Sequence, residues 1–169
     1  MPSPQEGAKY ENGVFESKHG PVIVTSLTIH GDGFVIDTRS STDDADDFAI
    51  DALSWIAKEH DLPDPNKLPF TKIYASELNV IFGKPPQLFD AKFAPFFKSL
   101  SSAISDEKTG KAEFIGFNFG TDPSAYPRQQ LFKIDREIST PYEQNRYYSF
   151  APTKTEVHLK LLEKLDELL

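Results

Sequence analysis

The sequence predicts an α+β protein: a single-layer, mostly antiparallel sheet of about five to six strands with three helices packed on it, in the order ββαβαββ(β)α. Three observations carry this expectation. Runs rich in β-branched and aromatic residues recur along the chain. Three segments place apolar residues at helical spacing. Strands and helices also fail to alternate regularly enough for a parallel, doubly wound sheet.

Residues 1–9 are polar, contain Pro2 and Pro4, and read as a flexible tail, which leaves 10–169 as a single α+β domain. Between Tyr10 and Phe15 the pair Asn12-Gly13 tolerates positive φ and predicts a turn or small hairpin. Val22 to Ile29 is β-branched, and Phe34 to Thr38 is a second β-run. The tight His30-Gly31-Asp32-Gly33 connection joins them as a hairpin. Ser40, Ser41 and Thr42 then offer N-caps to a helix expected over about 43–60. Its aspartates meet the partial positive charge of the helix N-terminus, and Ala45, Phe48, Ala49, Ala52, Leu53 and Ile56 make its apolar face.

Phe70 to Phe82 is the longest strand signal, stopped by Gly83 and Pro85-Pro86. A phenylalanine-rich helix follows over about 87–105. Pro95 interrupts its stripe, and a start near Ala94 would put that proline in the first turn, where its missing N–H costs nothing. Residues 112–120 and 131–138 alternate as strands, with the glycines of the first marking a close backbone approach. Arg146 to Phe150 adds a short strand. The last helix starts at a capping box, Thr153-Lys154-Thr155-Glu156, and carries Val157, Leu161, Leu162, Leu165, Leu168 and Leu169 as its stripe.

Composition narrows the function classes. Hydrophobic residues make up 38%, with 14 phenylalanines, enough to build a packed interior and offset chain entropy. The formal net charge of -8, from 18 basic and 26 acidic residues, disfavours a nucleic-acid partner and an anionic membrane surface and suits a basic protein partner. With no cysteine there are no disulfides, thiolate metal sites or thiol nucleophiles. The N-terminus lacks the apolar core of a signal peptide and no run approaches the roughly 20 apolar residues of a membrane span, so a soluble, cytoplasmic protein is expected.

Three constellations bear on chemistry. His30, Asp32 and Asp37, with Asp43, Asp44, Asp46 and Asp47, are the residue types that hold a divalent cation and activate water. Against this, Asp32 is a turn residue between glycines, and adjacent positions on a helix diverge by about 100°. The helix N-terminus alone accounts for the four aspartates. Serines are plentiful and there are four histidines, but none falls in a G-x-S-x-G elbow, and His60 and His158 lie on helices among charged neighbours, facing solvent. No phosphate-cradling glycine loop can be drawn. The sequence nominates no catalytic residue, no metal ligand set and no cofactor.

The third constellation is aromatic. Tyr126, Arg128, Tyr142, Arg146, Tyr147 and Tyr148 are candidate binding residues, because tyrosine and arginine bury large area while keeping a polar handle. The alternative is that Tyr147, Tyr148 and Phe150 pack under the C-terminal helix with Arg146 paired to an acid. The expected function is a non-enzymatic protein-binding module, either an immunity-type inhibitor or a small subunit of a larger assembly. The alternatives are a metal-dependent hydrolase using His30, Asp37 and the helix aspartates, or a small-ligand carrier.

Overall fold

The computed structural model describes residues 8–61, 63–84, 90–104, 115–122, 124 and 131–168. It is an α+β protein with three helices and seven strands, and the strands form two sheets of three and four rather than one. The chain divides into two compact units, Met1–Ser76 with Thr153–Glu156, and Glu77–Pro152 with Val157–Leu169. Among the described residues no helix is long and apolar enough to cross a membrane.

The first unit holds strands β1 (Ala8–Ser17), β2 (Gly20–His30) and β3 (Gly33–Thr38), paired antiparallel in chain order. The Asn12-Gly13 pair does not turn the chain. Asn12 takes a left-handed φ of 60° inside β1, while Glu11 and Gly13 on either side stay in one register with Ser26 and Val24. The reversal comes later, at Lys18-His19, because cross-strand pairing along ten residues outweighs the local preference of one dipeptide. The β2–β3 hairpin closes at Gly31-Asp32 as expected, and a bulge between Val24 and Ser26 bends its far end.

Helix α1 (Thr42–Glu59) is capped by Ser41, whose Oγ accepts the Asp44 N–H at 3.1 Å. Its Phe48 meets Phe15 of β1 edge to face, with centroids 5.4 Å apart, so α1 covers the side of the sheet that also buries Val22 and Val24. Phe34 of β3 packs on Phe70. The predicted strand from Phe70 is regular only over β4 (Ser76–Ile81), whose residues beyond Ser76 belong to the second unit.

The second unit is built on the four-stranded sheet, in the order β4, β7 (Arg146–Ala151), β6 (Leu131–Arg136), β5 (Gly116–Gly120). Residues 112–114 of the expected strand lie outside the described residues. Gly116 is where the glycine reading applies: a Cβ there would sit 2.2 Å from the Ile134 carbonyl oxygen. β6 ends at Arg136 rather than at residue 138, and Ile138 stands in solvent. Helix α2 (Asp90–Ile104) contains Pro95 in its interior instead of in its first turn, and Ser99 Oγ donates to the Pro95 carbonyl. The proline ring removes one backbone bond, and the helix carries that loss in place.

Helix α3 (Thr155–Asp166) closes the core of this unit. Alternation along the strands puts Phe82, Ile134 and Tyr147 on the covered face, where Leu162 and Leu165 of α3 meet them with Leu78, Val80, Phe117 and Phe132. The Phe82 and Tyr147 rings pack edge to face at 5.5 Å, and the Phe82 N–H donates to the Asn145 carbonyl.

Candidate functional site

The N-terminus of α1 gathers the charges that sequence reasoning singled out. Asp44 is buried and its carboxylate accepts the hydroxyls of Ser40 and Ser41 at 2.5 and 2.9 Å, bonds that hold its pKa below the ordinary value. Asp46 accepts from three donors: Lys72 Nζ at 2.7 Å, Tyr74 OH at 2.9 Å and Lys154 Nζ at 3.2 Å. Burial alone would push the Asp46 carboxyl up, but the bonds from Lys72, Tyr74 and Lys154 outweigh it, and the net direction is down. Lys154 also bonds Asp43 at 2.7 Å, and these two carboxylates raise its pKa. Lys18 pairs with Asp47 at 3.0 Å.

Together with His19, Ser41 and Ile50, Lys18, Lys72 and the four aspartates line a cleft of about 440 Å³. Three ammonium groups thus face four carboxylates. The acidic run is nearly neutralised where it stands, so it is an ion-pair network rather than an open cation trap. Among the described residues no group of three or more His, Cys, Asp or Glu side chains is placed to hold a metal ion.

His30 and Asp37 do not join this cluster. His30 pairs with Gly33 at the closed end of the hairpin, whereas Asp37 lies opposite Ser26 and accepts its hydroxyl at 2.7 Å. Four ladder steps separate them, roughly 13 Å at about 3.3 Å per residue. Spacing along the chain hid this, because the hairpin places the two residues on different strands.

The aromatic candidates are divided by strand alternation. Tyr126 and Arg128 lie outside the described residues. Tyr142 sits in a 3₁₀ turn (Tyr142–Gln144), half-buried, with the Arg136 guanidinium 4.3 Å above its ring. Tyr147 is 1% exposed and belongs to the core, as the packing alternative anticipated. Its neighbours Arg146 and Tyr148 point to the opposite side of the sheet. There Arg146 pairs with Glu137 at 3.1 Å, and the Tyr148 phenol is pushed up to about 12 by burial and then by its hydrogen bond to Glu77. Ile81 shares that side and is 73% exposed.

Two features escaped sequence reasoning. The first is apolar. Val14 and Ile23 are cross-strand partners on the side of the first sheet turned away from α1, and they are 68% and 48% exposed; Tyr10, four residues along the same strand and opposite Leu27, is 61% exposed. The signal was present as the Tyr10-Asn12-Val14 alternation, but reading Asn12-Gly13 as a turn concealed the strand that displays it.

The second feature corrects the placement of His158, which is fully buried instead of facing solvent. Its Nε2 lies 2.7 Å from Ser149 Oγ, and that hydroxyl donates to the Lys133 carbonyl at 3.2 Å. Both side chains are shut off from solvent, so the pair is part of the packed interior. Of the predicted stripe, Leu162 and Leu165 face the core while Val157, Leu161 and Leu168 are exposed, and His158 lies one turn before Leu162.

No family model, curated protein or solved structure matches the chain.

Proposed function

We propose that this chain works as a non-enzymatic protein-binding module, as a small subunit of a larger assembly or an immunity-type inhibitor of a basic partner. The observation that carries the reading is the exposed set Tyr10, Val14 and Ile23 on a sheet whose other side is already covered by α1. A sheet face covered on one side by its own helix has no further apolar requirement, and large apolar side chains kept in water are characteristic of contact surfaces. Tyr10 brings the aromatic body and polar tip that recur in interface centres. The net charge of -8 favours encounter with a basic surface.

The test is affinity capture with the full chain, alongside the surface variants Val14→Asp and Ile23→Thr. A stoichiometric partner retained by the parent and lost by Val14→Asp, with the circular dichroism of the two proteins superimposed, is the expected result. If parent and variants recover the same proteins, or none, this face is not the contact surface.

A further inference from the structure

We propose that the side of the first sheet turned away from α1 docks a second copy of this chain, two copies packing sheet against sheet about a twofold axis. The inference rests on the reading of that side as a contact surface, in its form as a subunit of an assembly, and names the occupant. Alternation along β2 turns Val22 and Val24 to the α1 side and sends Ile23, Thr25 and Leu27 to the other. Val14 registers with Ile23, Tyr10 with Leu27, and Leu27 in turn with Ile36 of β3.

Charge selects the occupant. From Ala8 to Val14 on β1 and from Ile23 to Ile29 on β2, no residue that alternation sends to this side is charged. Glu16, beside Pro21 at the hairpin end, is its first acid. Lys9, Glu11 and Asp37 register with Thr28 and Ser26, so they stand on the opposite side. A cation brought to the middle of this face would be buried without a counter-charge. A second copy instead meets it with the same uncharged, apolar side chains, the composition found at homodimer centres. A twofold axis makes such a face its own complement.

Size agrees with a reversible pair. Strands of 10, 11 and 6 residues make up the sheet. At a spacing of about 4.8 Å and a rise of about 3.4 Å per residue, they give a footprint of roughly 440 Å² per copy. The pair thus buries on the order of 900 Å² before side-chain relief is counted, near the roughly 1,000 Å² at which a specific interface begins.

The experiment is sedimentation velocity on the full chain in about 50 and about 500 mM sodium chloride, with Val14→Asp and Ile23→Thr beside the parent and circular dichroism to compare their folds. Each copy carries a net charge of -8, so screening relieves mutual repulsion and the dimer gains with salt, the reverse of capture of a basic partner. The expected results are a concentration-dependent parent dimer favoured at high salt, and association weakened more than about tenfold in Val14→Asp, which buries an unpaired carboxylate in each copy. Ile23→Thr keeps a β-branched residue in the strand and should weaken it less. A parent monomeric to about 100 µM at both salt concentrations overturns the proposal; a partner protein then captured by the parent and lost by Val14→Asp keeps the contact-surface reading alone. A dimer that weakens with salt, or that neither substitution weakens, also overturns it. Should Val14→Asp not fold, Ile23→Thr and the salt dependence of the parent still decide.

Discussion

Asp46 and Asp43 sit three residues apart on α1 and share a lysine, yet they should differ in what they contribute. Asp46 is largely sheltered and accepts three hydrogen bonds, two of them from cations, whereas Asp43 is mostly exposed and touches Lys154 alone among the bonds described. Hydrogen bonds to charged groups contribute about 1.5–3 kcal/mol when shielded, and exposed pairs about 0.2–1 kcal/mol. Asp46→Ala should therefore lower the urea midpoint by the equivalent of about 1–3 kcal/mol at unchanged slope, and Asp43→Ala by less than about 1 kcal/mol. Tyr147 gives the opposite expectation. Its buried hydroxyl has no hydrogen-bond partner among the described residues, so Tyr147→Phe should leave stability unchanged or raise it in the same assay. The aspartates themselves were legible as helix-terminal residues. Their cations were not, because Lys72 and Lys154 stand 26 and 108 residues from Asp46, and no local pattern links them.

The helices were the most legible elements, because a 3.6-residue stripe and a capping hydroxyl are both local. Ser41 does cap α1, but the next residue makes a contact that the sequence does not announce. The Thr42 N–H donates to Thr155 Oγ1 at 3.1 Å, and the Thr155 N–H donates to Thr42 Oγ1 at 3.0 Å. Each helix thus supplies the hydroxyl that satisfies an orphan amide of the other. Thr42→Ala removes the acceptor of the Thr155 N–H and Thr155→Ala that of the Thr42 N–H, so each should cost about 1 kcal/mol. Their double mutant should cost less than the sum, which a double-mutant cycle in urea would read. Strands were less legible. Alternation located β2, β3, β6 and β7, but which strands pair is set by long-range contacts, and so one expected sheet became two. Asn12-Gly13 carries a strong turn signature and sits mid-strand because nine cross-strand pairs hold β1 on β2.

At the scale of the molecule, acidification should act in two stages. His158 resists protonation when folded, so the unfolded chain binds more protons once pH falls below its ordinary value of 6.5, and stability declines from there down to the lower folded value. Asp44 and Asp46 have folded values below their ordinary 3.8, so the stability they contribute is present above 3.8 and lost as pH falls through the folded values. A plot of unfolding free energy against pH should bend twice, and His158→Gln should remove only the upper bend. The route open to the proposed partner at the first sheet also follows from one residue already described. Among the described residues β1 is an outer strand, ten residues long and so long enough to recruit a foreign strand along its edge. With its middle residue in the left-handed region, that backbone is not a continuous ladder of donors and acceptors. Asn12 thereby guards the rim against fibre-like stacking, and a visitor is left to approach broadside, onto the side chains.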